Sequence, residues 1–133
     1  MLNATYIKFI EELLVKTKVG ELEWNYLDHN NRLCIRMGWT DVLHSPEFDV
    51  EDSYYAELDN YFVVLYTPIG EPIRLYVIPS TFRKIVGLDA SDYGEYITRL
   101  LNEVRRTFPD ANNFIESIVN QADAGRHDRH KLI

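Results

Sequence analysis

The chain has 133 residues, a formal net charge of −7 and a single cysteine. That length suits one domain, which we expect to span residues 1–123 and to be followed by a polar tail at 124–133. One cysteine excludes an internal disulfide, and no run of about 18 apolar residues is present that would cross a membrane as a helix. The acidic balance disfavours a general nucleic-acid-binding protein, which normally presents a basic surface. Because the N-terminus has no basic-then-apolar signal pattern, we expect a soluble, cytoplasmic protein.

The first part of the chain predicts a helix and then a hairpin. Residues 3–18 place apolar side chains at helical spacing, which predicts an amphipathic helix. Apolar and polar residues then alternate over 21–27, which predicts a strand with Trp24 in the core. Asp and Asn residues at 28–31 are typical of a turn, and renewed alternation at 32–37 predicts the second strand of the hairpin.

A long acidic connection follows at 38–52, where the periodicity is lost. Between Asp41 and Asp59 the sequence has seven acidic side chains and neither Lys nor Arg. The simplest interpretation is a solvated loop, and the alternative is a docking surface for a basic partner. The docking hypothesis assigns the contact to four carboxylates: Glu47, Asp49, Glu51 and Asp52.

Three runs rich in β-branched and aromatic residues predict consecutive antiparallel strands at 53–58, 61–67 and 73–78. The run at 61–67 is apolar on both faces, so we expect it in the middle of the sheet. An irregular segment is expected at 79–91. The last elements are a helix at 92–107, capped by Ser91 and ended by Pro109, and a third helix capped by Asp110.

These elements together predict an α+β fold. We expect a five-stranded antiparallel sheet in the element order α-β-β-β-β-β-α-α, with the helices mainly on one face.

A resemblance supports this arrangement. Thr17, Gly20 and Trp24 follow an amphipathic helix, and a leucine-rich helix segment occupies 100–106. Together they resemble a loose group of small uncharacterised bacterial and phage proteins over most of residues 5–119. The resemblance implies a helix, an antiparallel sheet and a C-terminal helix, and it implies no catalytic residues. The long connection at 38–52 departs from the compact pattern of that group.

Aromatic residues are frequent, with nine Tyr, six Phe and two Trp. We expect four of them to project from the sheet face that the long helices do not cover: Tyr55, Phe62, Tyr66 and Tyr76. An open aromatic face of that size would be unusual for a monomer, so either the third helix covers it or it forms a homodimer or partner interface.

The functional hypothesis is a non-enzymatic protein-interaction module of the inhibitor, immunity or accessory-factor type, which uses the acidic loop and the aromatic face. The alternative is a small-molecule or nucleotide-binding domain with a pocket between the sheet and loops 38–52 and 79–91. In that alternative Arg74, Arg83 or Lys84 would meet an anion. We find no catalytic set and no cofactor motif. We also expect no metal site, because the histidines at 127–130 lie in a tail that cannot hold ligand geometry. An enzyme is therefore the third interpretation.

Overall fold

The computed structural model describes residues 2–40, 46–108, 115–116 and 118–121. The Asp110 cap, the Pro109 helix end and the tail at 124–133 lie outside the described residues. Residues 115–116 and 118–121 are helical, in agreement with the third helix predicted there.

Side-chain caps define where the helices begin. The named helices are α1 (Ala4–Lys18), α2 (Asn31–Arg36) and α3 (Ala90–Arg106), with a 3-10 turn at Leu27–His29 before α2. Asn3 Oδ1 accepts a hydrogen bond from the Thr5 amide at 2.9 Å, which satisfies a donor that the first turn of α1 leaves free. Asp89, two residues before the predicted cap Ser91, performs the same role for α3. The hydrogen bond from the Ser91 hydroxyl lowers the pKa of Asp89.

The five-stranded antiparallel sheet is confirmed, and its strands are adjacent in chain order. The strands are β1 (Asn25–Tyr26), β2 (Tyr54–Glu57), β3 (Tyr61–Tyr66), β4 (Arg74–Pro79) and β5 (Val86–Asp89). β3 pairs with β2 on one side and β4 on the other, so the predicted central position of this strand is confirmed. The predicted strand at 21–27 is reduced to Asn25–Tyr26, although Trp24 is buried as expected.

One predicted strand is wrong, because residues 32–37 form helix α2 instead. Asn30 caps this helix by accepting the Leu33 amide at 3.0 Å. Leu33 and Cys34 are both buried and Ile35 is 46% exposed, which is a helical burial pattern and not the alternation of a strand. The fifth strand is β5 in the segment predicted as irregular, so the observed order is α-β-α-β-β-β-β-α up to the end of α3.

Each face of the sheet has its own hydrophobic cluster. The first lies under α1 and α3 and includes Val63 and Leu65 of β3. The second contains Val64 and Tyr66, which alternate with Val63 and Leu65 along β3, because neighbouring strand residues point to opposite faces. The two long helices therefore share one face as predicted, and α2 belongs to the opposite one.

The connection after α2 is attached to the sheet by backbone hydrogen bonds. The Glu47 amide donates to the Trp39 carbonyl at 2.9 Å, and the Asp49 amide donates to the Thr67 carbonyl at 2.8 Å. Phe48 also forms an isolated β-bridge with Pro68. Residues 46–49 are thus ordered against the end of β3, where the sequence predicted an irregular connection. Residues 41–45 lie outside the described residues.

Candidate functional site

The segment 46–50 and the β3–β4 connection at 67–72 enclose an open groove of about 800 Å³. A second depression of about 370 Å³ adjoins it and shares Pro68, Ile69 and Glu71 with it. We call the two depressions together the acidic groove.

Apolar residues form much of the surface of the acidic groove. Phe48 is 2% exposed and anchors segment 46–50 in the second hydrophobic cluster. Ile69 is 71% exposed, which makes it the most exposed large apolar side chain among the described residues. Pro46, Pro68 and Pro72 add rigid apolar surface. A side chain as exposed as Ile69 contributes little to folding and remains free to contact another molecule.

Carboxylates surround this apolar surface. Glu47 lines the smaller depression, Asp49 lines the larger one, and Glu71 lines both. Asp49 Oδ1 also accepts the Glu51 amide at 3.0 Å, which fixes the turn that follows the groove. Glu51 is exposed beyond that turn. The structure therefore brings two of the four predicted docking carboxylates into one groove and places a third two residues away along the chain.

Asp52, the fourth predicted carboxylate, has partners within the molecule. Arg105 of α3 donates to both of its carboxylate oxygens, with Nε 2.9 Å from Oδ1. The Tyr54 hydroxyl donates to the same Oδ1 at 3.2 Å. These contacts leave the Asp52 side chain 20% exposed, so the solvated-loop interpretation is wrong for this residue.

The network around Asp52 also changes the titration of its partners. Burial first, and then the negative charge of Asp52, raise the pKa of Tyr54 well above its usual range. The hydrogen bonds to Asp52 raise the pKa of Arg105. Both shifts favour the protonated phenol and the charged guanidinium, which are the forms that bridge segment 49–54 to α3.

The predicted aromatic residues do lie on the second sheet face, and the same chain covers them. Trp39 stacks on Tyr66 with ring centroids 4.5 Å apart and contacts Tyr76 at 5.3 Å. The cover comes from α2 together with Trp39 and Phe48. In the described part of the third helix, the predicted core residue Ile115 is 56% exposed. Tyr66 and Tyr76 still line the smaller depression, whereas Tyr55 and Phe62 pack elsewhere in this cluster. The homodimer stays a prediction. Because residues of the same chain cover the aromatic face, that face is no longer a reason to expect a homodimer.

The sequence alone did not assign Trp39 to this site, because it lies in a segment without periodicity. Its size and aromatic character, next to Gly38, are the signal that could have indicated a role in packing. Burial, followed by the charge of Glu47, raises the pKa of Tyr66, so the aromatic wall of the groove remains neutral.

The three cations of the alternative hypothesis are not brought together. Arg74 lines the acidic groove and contacts Glu71 Oε2 and the Tyr76 hydroxyl, each at 3.4 Å. Arg83 and Lys84 follow the other end of β4, beyond Pro79. Arg74 and Pro79 are five residue steps apart along β4, which corresponds to about 17 Å.

The described residues contain no group of three or more His, Cys, Asp or Glu placed to hold a metal ion. Cys34 is buried, its thiol donates to the Leu27 carbonyl at 3.3 Å, and burial raises its pKa to about 11. A thiol with that pKa is not a nucleophile at neutral pH.

Comparisons with protein-family models, curated proteins and solved structures find no match to this chain. Among the described residues, no helix has the length and apolar character needed to cross a membrane.

Proposed function

We propose that this protein is a non-enzymatic interaction module that binds a basic, partly apolar segment of a partner protein in the acidic groove. An inhibitor, immunity protein or accessory factor would act in this way. The observation that carries the proposal is the combination at one site of the 71% exposed Ile69 with the carboxylates Glu47, Asp49 and Glu71.

The apolar surface and the carboxylates of the acidic groove would make different contributions to binding. An apolar side chain of the partner would remove Ile69 and the surrounding prolines from water, which supplies affinity. Lys or Arg residues on either side of it would meet the rim carboxylates, which supplies attraction at a distance and selects against acidic partners. The backbone bonds of segment 46–49 hold the groove before binding, so less ordering has to occur when the partner arrives.

The charge contribution is tested with the triple variant Glu47→Gln, Asp49→Asn, Glu51→Gln. Asp49→Asn retains the oxygen that accepts the Glu51 amide, and Asp52 is left intact because it is bonded to Arg105. A partner captured from the native host with the wild-type protein should bind the variant about ten-fold more weakly at low salt, with a smaller difference at high salt. The melting temperature should be nearly unchanged, since exposed substitutions are worth within about 0.5 kcal/mol.

The matched control is Glu11→Gln, Glu12→Gln, Glu23→Gln, which removes the same amount of charge from exposed positions outside the groove. This control should retain the affinity of the wild type. Equal weakening by both triple variants would show that only net charge matters, and it would contradict a site in the groove.

The apolar contribution is tested separately with Ile69→Ser. Because Ile69 is 71% exposed, folding stability should hardly change while affinity falls about five- to ten-fold. Val15→Ser on α1, where the side chain is 58% exposed, is the control and should bind normally. A partner that binds Ile69→Ser and the acidic triple variant as tightly as the wild type would disprove the proposal.

A further inference from the structure

A second groove, of about 240 Å³, lies at the opposite end of β4. Helix α2, the end of β2, the start of β3 and the β4–β5 connection supply its lining. Arg32, Asn30 and Ser80 provide polar groups, and Phe62 and Phe82 provide aromatic ones. We call it the Phe82 groove.

Four cations belong to this end of the molecule. Arg32 lines the groove, and Arg36, one helical turn later on the same side of α2, places its guanidinium carbon 4.4 Å from the centroid of the Phe82 ring. Arg83 and Lys84 follow Phe82 directly, and both are exposed.

Salt bridges distinguish these cations from the other described arginines. Arg74, Arg99, Arg105 and Arg106 each form a salt bridge. Over the described ranges, no salt bridge includes Arg32, Arg36, Arg83 or Lys84. The lining of the Phe82 groove contains one cation, Arg32, and one acidic residue, Glu57, and the other three cations lie next to Phe82 in space or in sequence. In a chain with a net charge of −7, this grouping of four cations at one end of the sheet favours an external anion.

The backbone of the β4–β5 connection is strained where it meets the groove. Phe82 and Lys84 have φ values of 58° and 56°, and within the part of the chain that the structure describes they are the only residues other than glycine with positive φ. This conformation is unfavourable for a residue with a Cβ atom, because the Cβ atom approaches the following carbonyl oxygen. The Ser80 amide donates to the Asn60 carbonyl at 3.0 Å and the Phe82 amide to the Pro79 carbonyl at 2.8 Å, and these bonds hold the connection in place. Such strain is concentrated at ligand sites, where it positions side chains before binding.

We propose that the Phe82 groove binds a small phosphate monoester. The phosphate would be held by Arg32, Arg36 and the Ser80 hydroxyl, with Arg83 and Lys84 adding to the attraction. The organic part of the ester would lie against Phe62 and Phe82. Arginine suits this task because its planar guanidinium can form two parallel hydrogen bonds to phosphate oxygens. The modest volume favours a ligand smaller than the drug-sized molecules that occupy pockets of about 300 Å³ and more. This inference does not depend on the acidic groove.

The test is a titration of the full chain with phenyl phosphate at constant ionic strength, followed by the backbone amide shifts of Arg32, Ser80 and Phe82. We expect saturation in the millimolar range, weaker binding of inorganic phosphate, which lacks the ring, and no binding of phenol, which lacks the charge. The variant Arg36→Gln, Arg83→Gln should reduce the affinity about ten-fold, because two of the four charges are removed. The control Arg99→Gln, Arg106→Gln removes the same charge from α3 and should bind normally.

Phe82→Leu separates the two contributions, since it removes the ring and keeps the cations. This variant should lose part of the preference for phenyl phosphate over inorganic phosphate, because Phe62 still contacts the ring, and an unchanged preference would contradict the contact with Phe82. Shifts that do not saturate, or equal losses in the two arginine variants, would show non-specific screening and overturn the site. Co-sedimentation with vesicles that contain phosphatidic acid, without binding of soluble phenyl phosphate, would overturn the assignment to a small soluble ester.

Discussion

Thr17 shows how one buried hydroxyl links two elements. Its Oγ1 donates to the Leu13 carbonyl within α1 at 2.7 Å and accepts from Trp24 Nε1 at 3.0 Å. Thr17 and Trp24 are both buried, so neither group has water as a substitute partner. This hydrogen bond joins α1 to Trp24 across the turn that contains Gly20.

We predict that Thr17→Val lowers the free energy of unfolding by roughly 1–3 kcal/mol, because the shape is kept while the indole N–H loses its acceptor. Thr17→Ser retains the hydroxyl and should lose clearly less. Urea denaturation followed by circular dichroism measures both variants. Equal stability of the valine variant and the wild type would show that the hydrogen bond contributes nothing.

At the scale of elements, the ring of Tyr76 in β4 packs over Gly87 of the neighbouring strand β5. Gly87 pairs with Tyr76, and a Cβ atom at position 87 would lie 3.0 Å from Tyr76 Cε1 and 3.3 Å from Cδ1. The backbone of Gly87 does not require positive φ, so the ring alone opposes a larger residue. The same ring packs on Trp39 and lines the acidic groove, which connects an edge strand to the proposed binding site.

We predict that Gly87→Ala displaces the Tyr76 ring and lowers the free energy of unfolding by about 1–3 kcal/mol. The near-ultraviolet circular dichroism of Trp39 should change, because its aromatic neighbour moves. Gly94→Ala in α3 is the matched control: its Cβ would meet Ala90 at an ordinary 3.6 Å, so we expect a gain of about 0.5–1 kcal/mol from helix propensity. An unchanged aromatic signal in Gly87→Ala would contradict the predicted contact.

On the scale of the whole molecule, Asp52 and Arg105 join the two layers. The two residues are 53 positions apart in the sequence. Their ion pair attaches the last turn of α3 to the segment that leads from the acidic groove into β2. The groove thus sits on a segment that is bonded at 46–49 to the sheet and at residue 52 to a helix. Two independent attachments explain how a segment without periodicity can present a defined surface.

We predict that Asp52→Asn lowers the free energy of unfolding by roughly 1 kcal/mol, because it removes the carboxylate charge that is bonded twice to the Arg105 guanidinium. The loss stays modest because Arg105 is partly exposed to water. Arg105→Gln should have a similar effect, and the double variant should lose less than the sum, because both changes break one interaction. Glu51→Gln, at the exposed neighbouring position, should stay within about 0.5 kcal/mol of the wild type. Strict additivity of the Asp52 and Arg105 variants in thermal unfolding would argue against the ion pair in solution.

Much of the candidate site could not be predicted from local sequence. Glu47 and Asp49 stood out because acidic residues cluster there, but Ile69 and Trp39 gave no comparable signal. Ile69 appeared as one residue of a proline-rich turn, and Trp39 as part of an irregular connection. Their importance arises from contacts with residues distant in the chain, such as the stacking of Trp39 on Tyr66.

The sequence by itself determined the α+β class, the two long amphipathic helices and the three central strands, because periods of 3.6 and 2 persist in those segments long enough to be distinguished. Only the tertiary structure decided that 32–37 is a helix and that 86–89 completes the sheet, since runs of four to six residues fit either period until the surrounding core selects one. It also decided the roles of the carboxylates. The chain places Asp49 and Asp52 three residues apart, and packing alone brings one to an exposed groove and the other to Arg105.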